Sequence, residues 1–291
     1  MNILVTGANG QLATCIKTLD ASNKEYRFTY KNSSEFDITD ILVVEDFFKN
    51  NTIDYCINCA AYTAVDKAEN DIKRAYNVNV KGSENLAKAC DKYNSTLIHV
   101  STDFVFDGSS SKPYNETNGT NPLSVYGSTK LEGEQKIQEN LERYFILRTS
   151  WLYSEFGNNF LKTMLRLSKS RDQIGVVSDQ IGSPTYAMDL ASVILKIIQT
   201  NNKSYGLYHY SNEGVASWYD FAMAIFDIEK IEIKVSPITT EDFPTPAKRP
   251  SYSVLNKMKI KKNLQIEIPH WRNSLKKAIA KNKNLNMKRN Q

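Results

Sequence analysis

Two hydrophobic rhythms alternate along the first half of the chain. Short apolar runs at Asn2–Thr6, Tyr26–Tyr30, Tyr55–Asn58, Thr96–Val100 and Phe145–Arg148 have the length and composition of buried strands. Between them, Gln11–Asp20, Thr39–Asn50, Asp71–Tyr93 and a segment around Tyr126–Lys130 repeat their apolar positions with a helical period. Asn121-Pro122 offers an N-cap and a first-turn proline for the last of these helices. Such alternation predicts right-handed crossovers and an α/β fold built on a doubly wound parallel sheet. The second half is less regular. Pro184, the group Pro237, Pro244, Pro246 and Pro250, and the strand-like Ile231–Val235 suggest a smaller lobe laid over the sheet edge, with a soft boundary near residue 149.

In a sheet of this kind ligands collect beyond the carboxyl ends of the strands, beside the point where strand order reverses. Gly7-Ala-Asn9-Gly10-Gln11-Leu12-Ala13 follows the first strand and opens the first helix, so its N–H groups can hold a pyrophosphate, with Ala13 where a third glycine is often found. The fold is therefore read as Rossmann-type. Residues 1–148 form the dinucleotide-binding domain, and residues 149–291 form mainly a discontinuous substrate-binding lobe. Parts of 187–212 and a C-terminal helix return to the first domain. The second strand leads into Tyr30-Lys31-Asn32-Ser33-Ser34 instead of the carboxylate that grips a free ribose 2′-hydroxyl. Lys31 and the two serines suit a 2′-phosphate, which favours NADPH over NADH, the alternative being that Lys31 is an ordinary surface lysine. Asp37 and Ile38 are placed beside the adenine.

Tyr126-Gly-Ser-Thr-Lys130 puts a phenol and an ammonium on one helix face, about 5–6 Å apart at Cβ. A free phenol titrates near ~10, and fixed positive charge beside it, from Lys130 together with a nicotinamide ring, is expected to favour phenolate and pull that value down. Thr102, at the end of the fourth strand, can hydrogen-bond the same substrate oxygen. The motif is short, and its position in a parallel-sheet scaffold downstream of Thr102 gives it weight.

Composition narrows the classes. The apolar fraction of 41% is that of a soluble globule, and no stretch approaches a membrane span, so a cytoplasmic enzyme is expected. The net charge of +5 is local: Arg272, Lys276, Lys277, Lys281, Lys283, Lys288 and Arg289 crowd the terminus with no acid among them. It reads as a solvated or frayed tail, and neither nucleic acid nor membrane is an expected partner. Cys56 and Cys59 lie three apart on a strand and point to opposite faces, so with Cys15 and Cys90 they read as small buried hydrophobes. His99, on an apolar strand, reads as a satisfied core histidine. His209 and His270 receive no role.

A set of motifs in order along the chain adds a resemblance. They are Gly7–Leu12, Ala60-Ala61-Tyr62-Thr63-Ala-Val65-Asp-Lys-Ala-Glu69, Ser101-Thr-Asp-Phe-Val-Phe-Asp-Gly108, Tyr126–Glu134, Arg148-Thr-Ser-Trp151-Leu-Tyr153, Asp179–Thr185 and Arg249–Ser253. The chain resembles the extended short-chain dehydrogenase/reductases, and within them the dTDP-4-dehydrorhamnose reductase family. The resemblance implies reduction of a sugar C4 ketone by NADPH or NADH, with Tyr126 protonating the oxygen, Lys130 holding the ribose and Thr102 binding the same oxygen. It implies that Asp103 takes sugar hydroxyls, with Val65 in the substrate set, and that Ala60, Ala61, Tyr62 and Thr63 lie along the cofactor. Asn79 is placed with the cofactor set, where it would help order the catalytic loop. Trp151 packs on the deoxysugar or in the core, and Arg249 meets a nucleotide phosphate or braces the small lobe. Some members are dimers with glutamate-held magnesium. Here Cys15 replaces one such glutamate, Asp189 is a shifted acid, and no metal is expected, which leaves monomer or homodimer open. A nucleotide-sugar epimerase or dehydratase, or a non-catalytic nucleotide-binding subunit, are the alternatives.

Overall fold

The computed structural model describes residues 1–20 and 25–289. Six strands form the central sheet: β1 (Asn2–Thr6), β2 (Arg27–Lys31), β3 (Tyr55–Asn58), β4 (Thr96–Thr102), β5 (Tyr144–Thr149) and β10 (Gly206–His209). Their order is β10-β5-β4-β3-β1-β2 and every pairing is parallel. The chain runs outward from β1 to β2 and then crosses back to β3, so the switch point lies between β1 and β3. Helices cover both faces, which is why the central strands read as continuous apolar runs. These are α1 (Gln11–Asp20), α2 (Ile41–Asn50), α3 (Val65–Ala68), α4 (Ile72–Tyr76), α5 (Gly82–Lys92), α6 (Val125–Asn140), α7 (Phe160–Leu167), α8 (Ala187–Gln199), α9 (Trp218–Glu229), α10 (Met258–Leu264) and α11 (Trp271–Arg289). Short strands β6 (Leu152–Tyr153), β7 (Gln173–Val177), β8 (Ile181–Gly182), β9 (Thr185–Tyr186), β11 (Ala216–Ser217) and β12 (Lys234–Ile238) pair two by two outside the main sheet.

The periodic segments fold where expected, with shifted ends. β2 runs on to Lys31, whose carbonyl accepts from Ala8 N at 3.1 Å and so anchors the glycine turn. The helix expected from Thr39 begins at Ile41, because Asp40 caps it by accepting from Leu42 N at 2.9 Å. The long helix of 71–93 is not uniform. A π turn at Asn77–Lys81 joins α4 to α5, and this turn carries Asn79.

The motif helix starts later than Asn121-Pro122. Ser124 is extended (φ −137, ψ 158) and its hydroxyl accepts from Gly127 N at 3.1 Å, which makes it the N-cap. Asn121 donates its backbone N–H to the Val105 carbonyl instead. The basic terminus is a docked helix, not a frayed tail. Trp271, Leu275, Ala278 and Ile279 recur at helical spacing on one face and are buried. Lys283 reaches Glu229 on α9 at 3.0 Å.

Candidate active site

A cleft of about 700 Å³ lies at the carboxyl ends of β1, β3, β4 and β5. Its first wall is backbone. Gly7 has φ +65, and a Cβ placed there would stand 2.7 Å from Ala60 N, so only glycine lets β1 turn this close to the β3 loop. Gly10 N closes the turn on the Gly7 carbonyl at 2.8 Å, and α1 then starts at Gln11 with its N-terminus toward the cleft. Asn9, Gln11 and Leu12 line the same wall, followed by Asn32, Ser33, Asp37 and Ile38 from the loop after β2. A glycine cradle at a helix N-terminus fits the pyrophosphate of a dinucleotide.

Ala60, Ala61, Tyr62, Thr63 and Val65 form the floor beyond β3. Two members of the expected cofactor set stand back from it. Asn79 is buried behind the floor, where its amide accepts from Tyr62 N at 2.8 Å and donates to Tyr62 O at 3.2 Å and Thr129 Oγ1 at 3.1 Å. It thus ties the floor loop to α6 and acts through Tyr62. The Lys31 ammonium sits over the Phe47 ring at 6.0 Å, and the cleft surface near it comes from Asn32 and Ser33.

The second wall is made of titratable side chains. Thr102 ends β4, its hydroxyl donating to Asp103 Oδ1 at 3.1 Å and accepting from Phe104 N at 3.2 Å. The other Asp103 oxygen is buried and has no partner. Burial pushes this carboxyl up to about 6, with the nearby Ser253 and Thr102 hydroxyls only partly offsetting it. Tyr126 faces the cleft beside Phe104. Burial drives its phenol up to about 12; the Thr102 hydrogen bond works against this and the Asp103 charge adds to it. The expected lowering by Lys130 is therefore absent. The Lys130 Nζ turns away to the Val100 carbonyl at 2.7 Å and His99 Nε2 at 3.1 Å, and burial brings it down to about 8.

Behind this wall Glu134 and Arg148 form a buried pair, with Arg148 Nη2 2.6 Å from Glu134 Oε2 and Nε 2.9 Å from Oε1. Ser101 Oγ also donates to Glu134. Trp151 lies in the left-handed region at φ 49 and stacks on Trp218 with ring centroids 3.6 Å apart and planes 7° apart. Both line the cleft. Arg249 also lines it, but its guanidinium is held by Asp66 at 2.8 Å, the bracing alternative for this arginine. Trp218 and Arg74 were missed by motif reading: Trp218 sits at the start of α9, far from every quoted motif, and Arg74 lies in what read as an ordinary helix. The cue for Trp218 was Ser217 with Asp220, a capping box that presents the first helical residue.

Three of the cysteines are buried, while Cys59 is only partly so and lines the cleft. Cys15 is fully buried, its thiol pushed up to about 12, and Asp189 accepts from Asn212 at 2.8 Å and Ser274 at 2.5 Å. Among the described residues, no group of three His, Cys, Asp or Glu stands together in position to hold a metal, and no helix is long and apolar enough to cross a membrane.

Residues 1–284 match the family model of the RmlD substrate binding domain. The chain belongs to the RmlD family. A dTDP-4-dehydrorhamnose reductase of Aggregatibacter actinomycetemcomitans is 47% identical, over 96% of this chain and 98% of its own. Among solved structures, a dTDP-4-dehydrorhamnose reductase of Clostridium acetobutylicum superposes with a TM-score of 0.93 at 45% identity, covering 96% of this chain and 99% of its own. One from Bacillus anthracis, solved in complex with NADP, also gives 0.93, at 40% identity and with the same coverage. The RmlD fold thus accounts for nearly the whole chain, the Rossmann-type sheet and the smaller lobe together.

Proposed function

We propose that the protein is a dTDP-4-dehydrorhamnose reductase, which reduces the C4 ketone of dTDP-4-dehydro-6-deoxy-L-mannose to give dTDP-L-rhamnose with NADPH as reductant. The observation that carries this reading is the convergence of Thr102 and Tyr126 on a cleft whose other wall is the Gly7–Gly10 cradle. NADPH, when bound, supplies the hydride. Thr102 and Tyr126 hold the carbonyl oxygen, and Tyr126 gives it the phenolic proton. A phenol raised to about 12 remains loaded through the neutral range, which suits a group whose task is to donate.

In this reading Asp103 uses its unpartnered oxygen to accept a sugar hydroxyl, Val65 borders the substrate, and the Trp151–Trp218 stack flanks the deoxysugar. Gly7, Asn9, Gly10, Gln11, Leu12, Asp37, Ile38 and Ala60 to Thr63 line the cofactor. Arg249 shapes the cleft by bracing Asp66. With a nucleotide sugar and NADPH as its ligands, the enzyme works in the cytoplasm, as a monomer or homodimer.

The assay follows nicotinamide absorbance. NADPH should be consumed only when the ketosugar nucleotide is present, and Tyr126→Phe should lose roughly 10²–10⁴-fold in kcat while binding NADPH as before. Full activity in that variant would overturn the assignment. Turnover of a nucleotide sugar without added reductant would point to epimerase chemistry instead.

A further inference from the structure

His99 lies in the middle of the sheet, and both of its ring nitrogens are engaged: Nδ1 is 3.0 Å from Asn58 Nδ2, and Nε2 is 3.1 Å from Lys130 Nζ. Which nitrogen carries the ring hydrogen is set by what the neighbours can give or take. The chain of constraint starts at a backbone group. Ala60 N–H can only donate, and it stands 3.1 Å from the side-chain atom of Asn58 that also receives the Thr6 hydroxyl at 2.7 Å. That atom must be the amide oxygen. The amide nitrogen is then left facing His99 Nδ1, and because an NH2 group only donates, Nδ1 is bare.

A neutral imidazole keeps one hydrogen, so here it sits on Nε2 and points at Lys130 Nζ. An ammonium has no lone pair with which to receive it. An amine has one, and can still donate to the Val100 carbonyl at 2.7 Å. A doubly protonated ring is no way out, since its Nδ1–H would meet the Asn58 NH2. We infer that His99 is a positioning residue that holds Lys130 as an uncharged amine in the cofactor-free cleft, with Asn58 and Thr6 fixing the ring tautomer that does so.

The surroundings agree. Lys130 is buried, and burial outweighs the two groups that favour its charge, Glu134 on the same helix and Cys59 at the end of β3. Glu134 is already held by Arg148 and Ser101. Tyr126, one helical turn away, is a neutral phenol through the same range, and burial keeps His99 well below its ordinary titration. Burial, net of the opposing Glu134 and Cys59, brings the Lys130 midpoint down to about 8, and the facing Nε2–H pulls it further in the same direction. Protonating Lys130 and breaking its contact with His99 are therefore one event, which links proton uptake to the moment an ammonium is needed beside the cofactor.

The inference rests on the reductase reading, with Lys130 as the residue that holds the cofactor ribose, but its first test needs no turnover. The full chain labelled with ¹⁵N-histidine is recorded without cofactor by long-range ¹H–¹⁵N correlation; with three histidines in the sequence, His99→Gln assigns the signal. The Nε2–H pattern is expected, and an Nδ1–H pattern or a doubly protonated ring at neutral pH would overturn the inference. Asn58→Asp supplies a carboxylate that accepts from Nδ1–H, so the tautomer should reverse and Nε2 should then accept from an ammonium. The high-pH limb of kcat/KM for NADPH should move up by about one pH unit or more. His99→Gln offers Lys130 an uncharged acceptor and should move the limb in the same direction without any added charge. A purely structural histidine would alter the yield of folded enzyme and leave the limb in place, and an unmoved limb in both variants rejects the proposal. If the tautomer is as expected while Tyr126→Phe keeps full activity, the reductase reading fails and the tautomer assignment stands.

Discussion

The two walls of the cleft are built from opposite materials. The glycine wall is backbone: Gly7 at φ +65, Gly10 closing on Gly7, and the Lys31 carbonyl holding Ala8 N. The catalytic wall and the layer that backs it pack His99, Asp103, Lys130, Glu134 and Arg148 into a space where none is more than 3% exposed. The cradle of the first wall needs hydrogen-bond donors at fixed positions and no side chain at Gly7, so a single added methyl is its weak point. The second needs groups whose ionisation is displaced by burial, so the loss or neutralisation of one member disturbs the others. Binding was built with geometry and proton transfer with desolvation.

Breaking that second wall at its ion pair should give the largest effect. Glu134→Ala leaves the Arg148 guanidinium buried without its carboxylate, and urea unfolding should report a loss of ~3–5 kcal/mol. Replacing both partners with apolar residues, Glu134→Met together with Arg148→Leu, should recover much of that loss. If the single variant is as stable as the parent, the wall is not held by its charges. On the glycine wall, Gly7→Ala forces a left-handed backbone on an L side chain and drives its Cβ against Ala60, at a cost of ~2–4 kcal/mol. Isothermal titration should also show NADPH affinity falling by at least ~10-fold. Wild-type affinity in that variant would mean that the cradle does not hold the pyrophosphate.

The glycine wall was far more legible in the sequence than the catalytic one. A Gly-x-x-Gly turn between a strand and a helix has one geometric solution, and the apolar runs from Asn2 to Thr102 mark strands because both faces of a parallel sheet are covered. Tyr126, Lys130, Thr102 and Asp103 could be named from spacing and resemblance, yet the direction of the Lys130 side chain could not. Helical spacing puts Tyr126 and Lys130 on one face, but the pull of the Val100 carbonyl and His99 comes from a strand far away in sequence. For the same reason His99 passed as ordinary core. β10 reads Gly-Leu-Tyr-His, two apolar residues between a glycine and a histidine, and so shows no apolar run, although it completes the main sheet. The C-terminal helix carried its apolar spacing openly at Trp271, Leu275, Ala278 and Ile279, and the density of lysines there obscured it.

Asp103→Asn separates the chemistry of the catalytic wall from its stability. Burial raises this carboxyl from 3.8 to about 6, so the folded state disfavours its charged form. The penalty is nearly absent below the unfolded value, grows as pH rises through about 6, and is complete above it. Asp103→Asn should therefore stabilise the protein at pH ~7 by ~1–3 kcal/mol and change it little at pH ~4, while raising KM for the nucleotide sugar. Equal stabilisation at both pH values would place the cause elsewhere than in the ionisation.

The smallest expected effect sharpens the boundary of the glycine wall. Lys31 has the charge to read a 2′-phosphate, but its ammonium rests over Phe47 and its carbonyl is the part that serves the turn. A cation over a ring at the surface is worth ~0.5–1 kcal/mol, so Lys31→Ala should shift the unfolding midpoint only slightly. The ratio of kcat/KM for NADPH to that for NADH should remain within about fivefold of the parent, since one lost surface charge contact is worth up to ~1 kcal/mol. Ser33, which does line the cleft, is the matched control: Ser33→Asp sets a carboxylate where a 2′-phosphate would lie and should move the ratio toward NADH by ~10-fold or more. A collapse of the NADPH preference in Lys31→Ala would show that the lysine leaves Phe47 when the cofactor binds, and that charge as well as backbone belongs to this wall.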